Sequence, residues 1–102
     1  MSAFAVLYTY DDRTQERDRV RPDHRAFLAE LYAAGTLLAS GPFTGPTVGP
    51  EGEGEPDGAL LLVRADDAAA AAALLDRDPF ATQGLIAHRA VRPWDAVFGP
   101  WS

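Results

Sequence analysis

The chain has 102 residues, 47% of them apolar, which predicts a single globular domain over residues 1–102. Its formal net charge of −6, with nine Arg and no Lys, repels nucleic acid and anionic lipid, so neither is expected as a partner. It has no Cys, hence no disulfide framework and no thiolate metal site, and no run approaches the roughly 20 apolar residues of a membrane span. The N-terminus lacks a signal-peptide pattern, which makes a cytoplasmic location the default expectation.

Residues 3–10 read as a strand in which Phe4, Val6, Tyr8 and Tyr10 alternate with Ala3, Ala5, Leu7 and Thr9. Neither face carries a charge, so both are expected to be covered. Residues 11–20 read as a charged loop. Pro22 suits the first turn of a helix, Phe27, Leu28 and Leu31 recur at helical spacing, and Gly35 is a natural stop, which places the first helix at residues 22–34. A second strand is predicted over 36–43. Residues 44–58, rich in Gly, Pro and Glu, read as a long flexible loop. The apolar run 59–63 suits a central strand. Asp66 and Asp67 suit the start of a second helix that runs through the alanines to Leu75 and ends at Asp78-Pro79. Residues 85–92 read as the last strand. The tail 93–102 carries Trp94, Phe98 and Trp101, which calls for docking on the domain itself or on a partner.

The order β-α-β-β-α-β fits a ferredoxin-like α+β fold, with both helices on one face of a four-stranded antiparallel sheet. The chain has no element left to cover the other face, so a second copy packed sheet to sheet, a homodimer, is the economical partner.

Following the strand directions, one end of this topology gathers the start of the first helix, the end of the second strand, the end of the second helix and the start of the last strand. Those places hold Arg21 and His24, Ser40-Gly41-Pro42, Asp78-Pro79-Phe80, and His88. His24 precedes Phe27, Leu28 and Leu31 at offsets that turn it toward the sheet. Asp78 follows a helix C-terminus, where a carboxylate needs a cationic or hydrogen-bonding partner that Arg21 or His24 can supply. A His oriented by a carboxylate is a usual general base. The competing reading is a structural hydrogen-bonded pair. Ser40 either donates to a substrate oxygen or shapes a turn, and Arg21 either binds an anion or pairs with Asp78. His88 reads as a half-buried strand residue, and Tyr8 and Tyr10 either line a pocket or, by their alternation, belong to the core or an interface. The two histidines show no metal-ligand spacing, and no glycine-rich turn feeds a helix to cradle phosphate. No cofactor is expected.

The segments Arg21-Pro22-Asp23-His24, Phe27-Leu28 and Gly35 to Pro42, followed by Asp78-Pro79-Phe80, Gly84 and His88 to Pro93, resemble the two motifs of the YCII-related (YciI-like) family. The resemblance spans residues 4–98. It implies a dimeric α/β barrel built from ferredoxin-like protomers, with a pocket lined by a His and an Asp that map to His24 and Asp78. Arg21, Ser40, Gly41 and Pro42 match motif positions near that pocket, and His88 matches one that some members carry. One branch of the family includes a dehydrochlorinase of a chlorinated hydroxyhydroquinone. The functional expectation is therefore a cofactor-independent lyase or isomerase on a small cyclic or aromatic compound, with His24 moving the proton, Asp78 orienting it, and Arg21 and Ser40 holding an oxygen. The alternatives are a non-catalytic small-molecule-binding module and a dimerisation or accessory module.

Overall fold

The computed structural model describes residues 2–101; Met1 and Ser102, the ends of the expected domain and tail, lie outside the described residues. The elements in chain order are β1 (Ser2–Tyr10), α1 (Thr14–Ala33), β2 (Leu37–Pro42), a 3-10 turn (Pro50–Gly52), β3 (Gly58–Ala65), α2 (Ala68–Leu75), α3 (Pro79–Thr82) and β4 (Ile86–Trp94). The four strands form one antiparallel sheet in the order β2-β3-β1-β4. This is the ferredoxin-like arrangement expected from the element order.

Alternation in β1 sorts the two faces. Phe4, Val6, Tyr8 and Tyr10 are buried beneath the helices, while Ala3, Ala5, Leu7 and Thr9 are half-buried on the opposite, open face. In β3, opposite β1, Leu61 and Val63 fall on the helix side and Leu60, Leu62 and Arg64 on the open side. The core continues into Val20 and Leu28 of α1, Ala71 and Leu75 of α2, and Phe80 of α3.

The first helix departs from expectation. It is 20 residues long and begins at Thr14, so most of the expected 11–20 loop is helical. The added turns bury Arg17 and Val20, which extend the stripe of His24, Leu28 and Leu31 at offsets of three and four. An arginine at a core-facing position hides that stripe from a reading based on apolar periodicity. Pro22 sits inside the helix rather than at its first turn, where it withholds one backbone donor and its ring crowds the carbonyl of Asp18 four residues earlier. At the other end the expectation holds. Gly35, at φ +78°, closes α1, with the Gly35 N–H on the Tyr32 carbonyl and the Thr36 N–H on the Leu31 carbonyl at 2.9 Å. The start of α2 is capped by Asp67, which accepts from the Ala70 N–H at 2.7 Å.

Candidate functional site

β1, α1 and α3 meet at the end of the sheet where β1 finishes. Asp78 is the centre of this junction and is fully buried. It follows the end of α2 as expected from the sequence, its N–H donating to the Leu75 carbonyl at 3.1 Å. It caps α3, with Oδ1 accepting from the Phe80 N–H at 2.9 Å and Pro79 occupying the first helical position. The same oxygen lies 2.7 Å from His24 Nδ1, and Oδ2 accepts from the Tyr8 hydroxyl at 2.9 Å. Three donors from three elements thus saturate one buried carboxyl group.

Because Nδ1 faces an acceptor, it carries the proton, and Nε2 of His24 is left as the ring's acceptor. Nε2 makes no hydrogen bond among the described residues. The His24 side chain is 12% exposed and its ring stacks on Phe80 at 3.9 Å between centroids with a 6° interplanar angle. His24 comes from the middle of α1, since the helix begins earlier than the Pro22 signal suggested. The His24–Asp78 contact therefore forms, with Asp78 just past the end of α2 as the sequence placed it and His24 in the interior of α1 rather than at its start.

Aromatic rings continue the site toward the sheet end. Tyr10 meets Phe80 edge-on at 5.7 Å and Tyr8 at 6.2 Å. The guanidinium of Arg17 lies 4.6 Å from the centre of the Tyr10 ring. Burial, followed by the charge of Asp78 and its hydrogen bond, pushes the Tyr8 hydroxyl far above the usual phenol range. Burial and Asp78 also push Tyr10 up to about 12.

A cleft of about 880 Å³ opens beside this group. Its lining comprises the end of β1 from Leu7 to Tyr10, Arg17 of α1, Pro42, Phe43 and much of the 44–58 segment. Neither His24 nor Asp78 lines it; Tyr8 and Tyr10 connect the two regions, Tyr8 through its hydroxyl on Asp78. The 44–58 segment is tied across itself by Thr47, whose N–H and hydroxyl both donate to Glu55.

The other residues singled out from the sequence are dispersed. Arg21 pairs with Asp18, one turn earlier on α1, rather than with Asp78, and its guanidinium lies 5.9 Å from the centre of the Phe80 ring. Ser40 is exposed opposite Leu61 on the edge strand, and Gly41 pairs with Leu60 on the open face; of this turn, Pro42 alone lines the cleft. His88 pairs with Thr9, which places it on the open face, across the sheet from His24 and Asp78. The two histidines share an end of the fold but not a face. Arg17 is the member the sequence reading missed, because it falls in the expected 11–20 loop; Tyr8, read as core or as pocket lining, lies in the core with its hydroxyl on Asp78. A search for charged residues continuing the α1 stripe would have found Arg17. No cluster of three or more His, Cys, Asp or Glu suited to a metal occurs among the described residues. Among them, no helix is long and apolar enough to cross a membrane.

An antiparallel four-stranded sheet with helices on one face and a buried His–Asp–Tyr cluster at its end defines a ferredoxin-like α+β protein. The YCII-related domain profile matches residues 3–95, and the chain belongs to that family. It is 33% identical over 95 residues to Protein YciI of Escherichia coli O6:H1, covering 91% of this chain and 97% of that protein, and equally to Protein YciI of Shigella flexneri. Among solved structures it resembles the 5-chloro-2-hydroxyhydroquinone dehydrochlorinase TftG of Burkholderia phenoliruptrix, in complex with 2,5-dihydroxybenzoquinone. The TM-score is 0.72 at 24% identity, over 91% of this chain and 93% of that one. An antibiotic biosynthesis monooxygenase shares the fold with a TM-score of 0.52 at 17% identity, over 96% of this chain and 100% of that one.

Proposed function

We propose that this YciI-like protein is a cofactor-independent lyase or isomerase acting on a small cyclic or aromatic compound, with His24 as the proton-transferring group. The observation that carries this reading is the buried Asp78 carboxyl 2.7 Å from His24 Nδ1, which holds the ring with Nε2 making no hydrogen bond among the described residues. In such a reaction Nε2 takes a proton from the substrate carbon and returns it to the leaving group or to a neighbouring atom. Asp78 keeps Nδ1 protonated and the ring oriented, and Tyr8 and the Phe80 N–H fix Asp78 in turn. The name of the dehydrochlorinase that shares the fold supplies the substrate class to try first: halogenated and hydroxylated single-ring aromatics and quinones. Turnover of such a panel by purified protein, lost in His24→Gln with the fold intact by circular dichroism, is the expected result. Unchanged turnover in His24→Gln refutes the mechanism.

A second reading, a binding module without chemistry, is favoured by the separation of the cleft from His24 and Asp78. Ligands that raise the melting temperature but are recovered unchanged support it.

The proposal includes a homodimer through the open sheet face, where half-buried Ala3, Ala5, Leu7 and Leu60 and the more buried Leu62 lie under no helix. Ala5→Arg puts a second cation beside Arg92, its β4 neighbour, at the middle of this face. Light scattering is expected to report a dimer for the wild type and a monomer for the variant; a monomeric wild type refutes it.

A further inference from the structure

Arg17 is among the residues lining the cleft although its side chain is only 2% exposed, a costly place for a cation without a full partner. Its contacts are weak for such a site. Nη1 donates to the Asp11 carbonyl at 2.8 Å and stands 3.4 Å from Asp11 Oδ1, and Nη2 reaches the Thr14 hydroxyl at 3.3 Å. Asp11 is already committed to Arg13, whose Nε and Nη2 both donate to Oδ2 and whose N–H donates to Oδ1. Of the five guanidinium N–H groups, two or more therefore have no protein acceptor among the described residues. Nε of Arg17 makes no hydrogen bond among the described residues and is not sealed from solvent, and Arg17 lines the cleft. The Tyr10 hydroxyl, on the ring that the Arg17 guanidinium overlies, also makes no hydrogen bond among the described residues. It keeps its proton up to about pH 12, so it remains a donor at neutral pH.

We infer that the cleft binds a single-ring aromatic carrying a carboxylate or a ring oxyanion, with the oxyanion held by Arg17 and the Tyr10 hydroxyl. A planar guanidinium gives an oxyanion two parallel donors, and the exposed Phe43 in the cleft lining offers an aromatic surface to a ring. Two carboxylates also line the cleft. Glu55 is held by Thr47, and Asp57 is exposed, where water screens it. Neither is an ion-pair partner of Arg17. The inference deepens the proposed function by naming the ligand class, and rests on the cleft being its ligand site, not on catalysis at His24. Arg17 and His24 are seven residues apart on one face of α1, about 10.5 Å along the helix at 1.5 Å per residue.

The test is calorimetric titration with 4-hydroxybenzoate and its neutral analogue 4-hydroxybenzamide. Wild type is expected to prefer the carboxylate at least about tenfold. Arg17→Gln is expected to remove that preference, and Tyr10→Phe to reduce it about threefold. His24→Ala is expected to keep it. If Arg17→Gln does not fold, the wild-type ratio and Tyr10→Phe decide. Equal affinity for acid and amide in the wild type, or a preference that survives Arg17→Gln, overturns the inference. Loss of the preference in His24→Ala also overturns it, because the anion then sits on the imidazole. Arg17-dependent binding with no turnover of any compound leaves this inference standing and removes the catalytic reading.

Discussion

Replacing Asp78 by Ala tests the junction on which the site depends. The carboxyl group is fully buried and accepts from Tyr8, Phe80 and His24. Alanine strands the Tyr8 hydroxyl and the Phe80 N–H away from water, at about 1–3 kcal/mol for each buried donor left unsatisfied. His24, 12% exposed, can turn part of its ring to solvent and adds less. Loss of the α3 cap overlaps with the Phe80 loss and is not counted twice. The expected cost is about 3–5 kcal/mol, a large share of the roughly 5–15 kcal/mol that holds a domain of this kind. At about 4–8 °C per kcal/mol for this size, the melting temperature falls by about 12 °C or more. Asp78→Asn keeps one acceptor oxygen and the volume, so about 1–2 kcal/mol is expected. Urea unfolding at neutral pH, with both variants and the wild type at equal protein concentration, measures the difference. A cost below about 1 kcal/mol for Asp78→Ala, or equal costs for the two variants, refutes the three-donor account.

Stability should fall steeply in alkali. Tyr10 is raised from the usual phenol value near 10 to about 12, and Tyr8 is raised further in the same direction, so the folded state holds protons that the unfolded chain releases. Their contribution is complete below about pH 10 and is lost as pH rises toward the folded values; Tyr10 alone accounts for about 2–3 kcal/mol between pH 10 and 12. Urea midpoints measured from pH 9 to 12 check this, and Tyr8→Phe should make the decline shallower; a flat profile contradicts it. Gly58→Ala should cost about 2–3 kcal/mol, because a Cβ there stands 2.3 Å from the Tyr8 carbonyl oxygen and pushes β1 from β3 at the cleft. Denaturant unfolding that shows less than 0.5 kcal/mol, on the order of a surface change, refutes the close approach. Gly35→Ala should cost about 1–2 kcal/mol through its φ of +78° alone, since open space surrounds the position; a cost near zero in the same assay refutes that.

Much of the frame was readable before any coordinates. Alternation in residues 3–10, the Gly35 stop and the Asp67 cap are local signals, and each appears in the structure. Element order then implied the antiparallel sheet, and strand direction alone brought His24 and Asp78 to a common end. The start of α1 was not readable in the same way. Pro22 is a strong local signal for a first turn, and tertiary burial of Arg17 and Val20 overrides it. The pairing of Arg21 with Asp18 follows from that longer helix, because Asp18 becomes a neighbour one turn away only once residues 14–21 are helical.

Local chemistry in the chain thus determined the kinds of element, their order and the end at which the titratable groups gather. These depend on residues a few positions apart. The face on which each group lies, and what it touches, depends on strand register and on contacts between distant segments. Register put His88 across the sheet from His24. Packing over 70 positions brought the Tyr8 hydroxyl to Asp78, and folding of the 44–58 segment against β1 made the cleft over Arg17. A shift of one residue in pairing exchanges the two faces of a strand, so sequence spacing narrows the candidates to one end of the fold and only three-dimensional packing assembles them into a site.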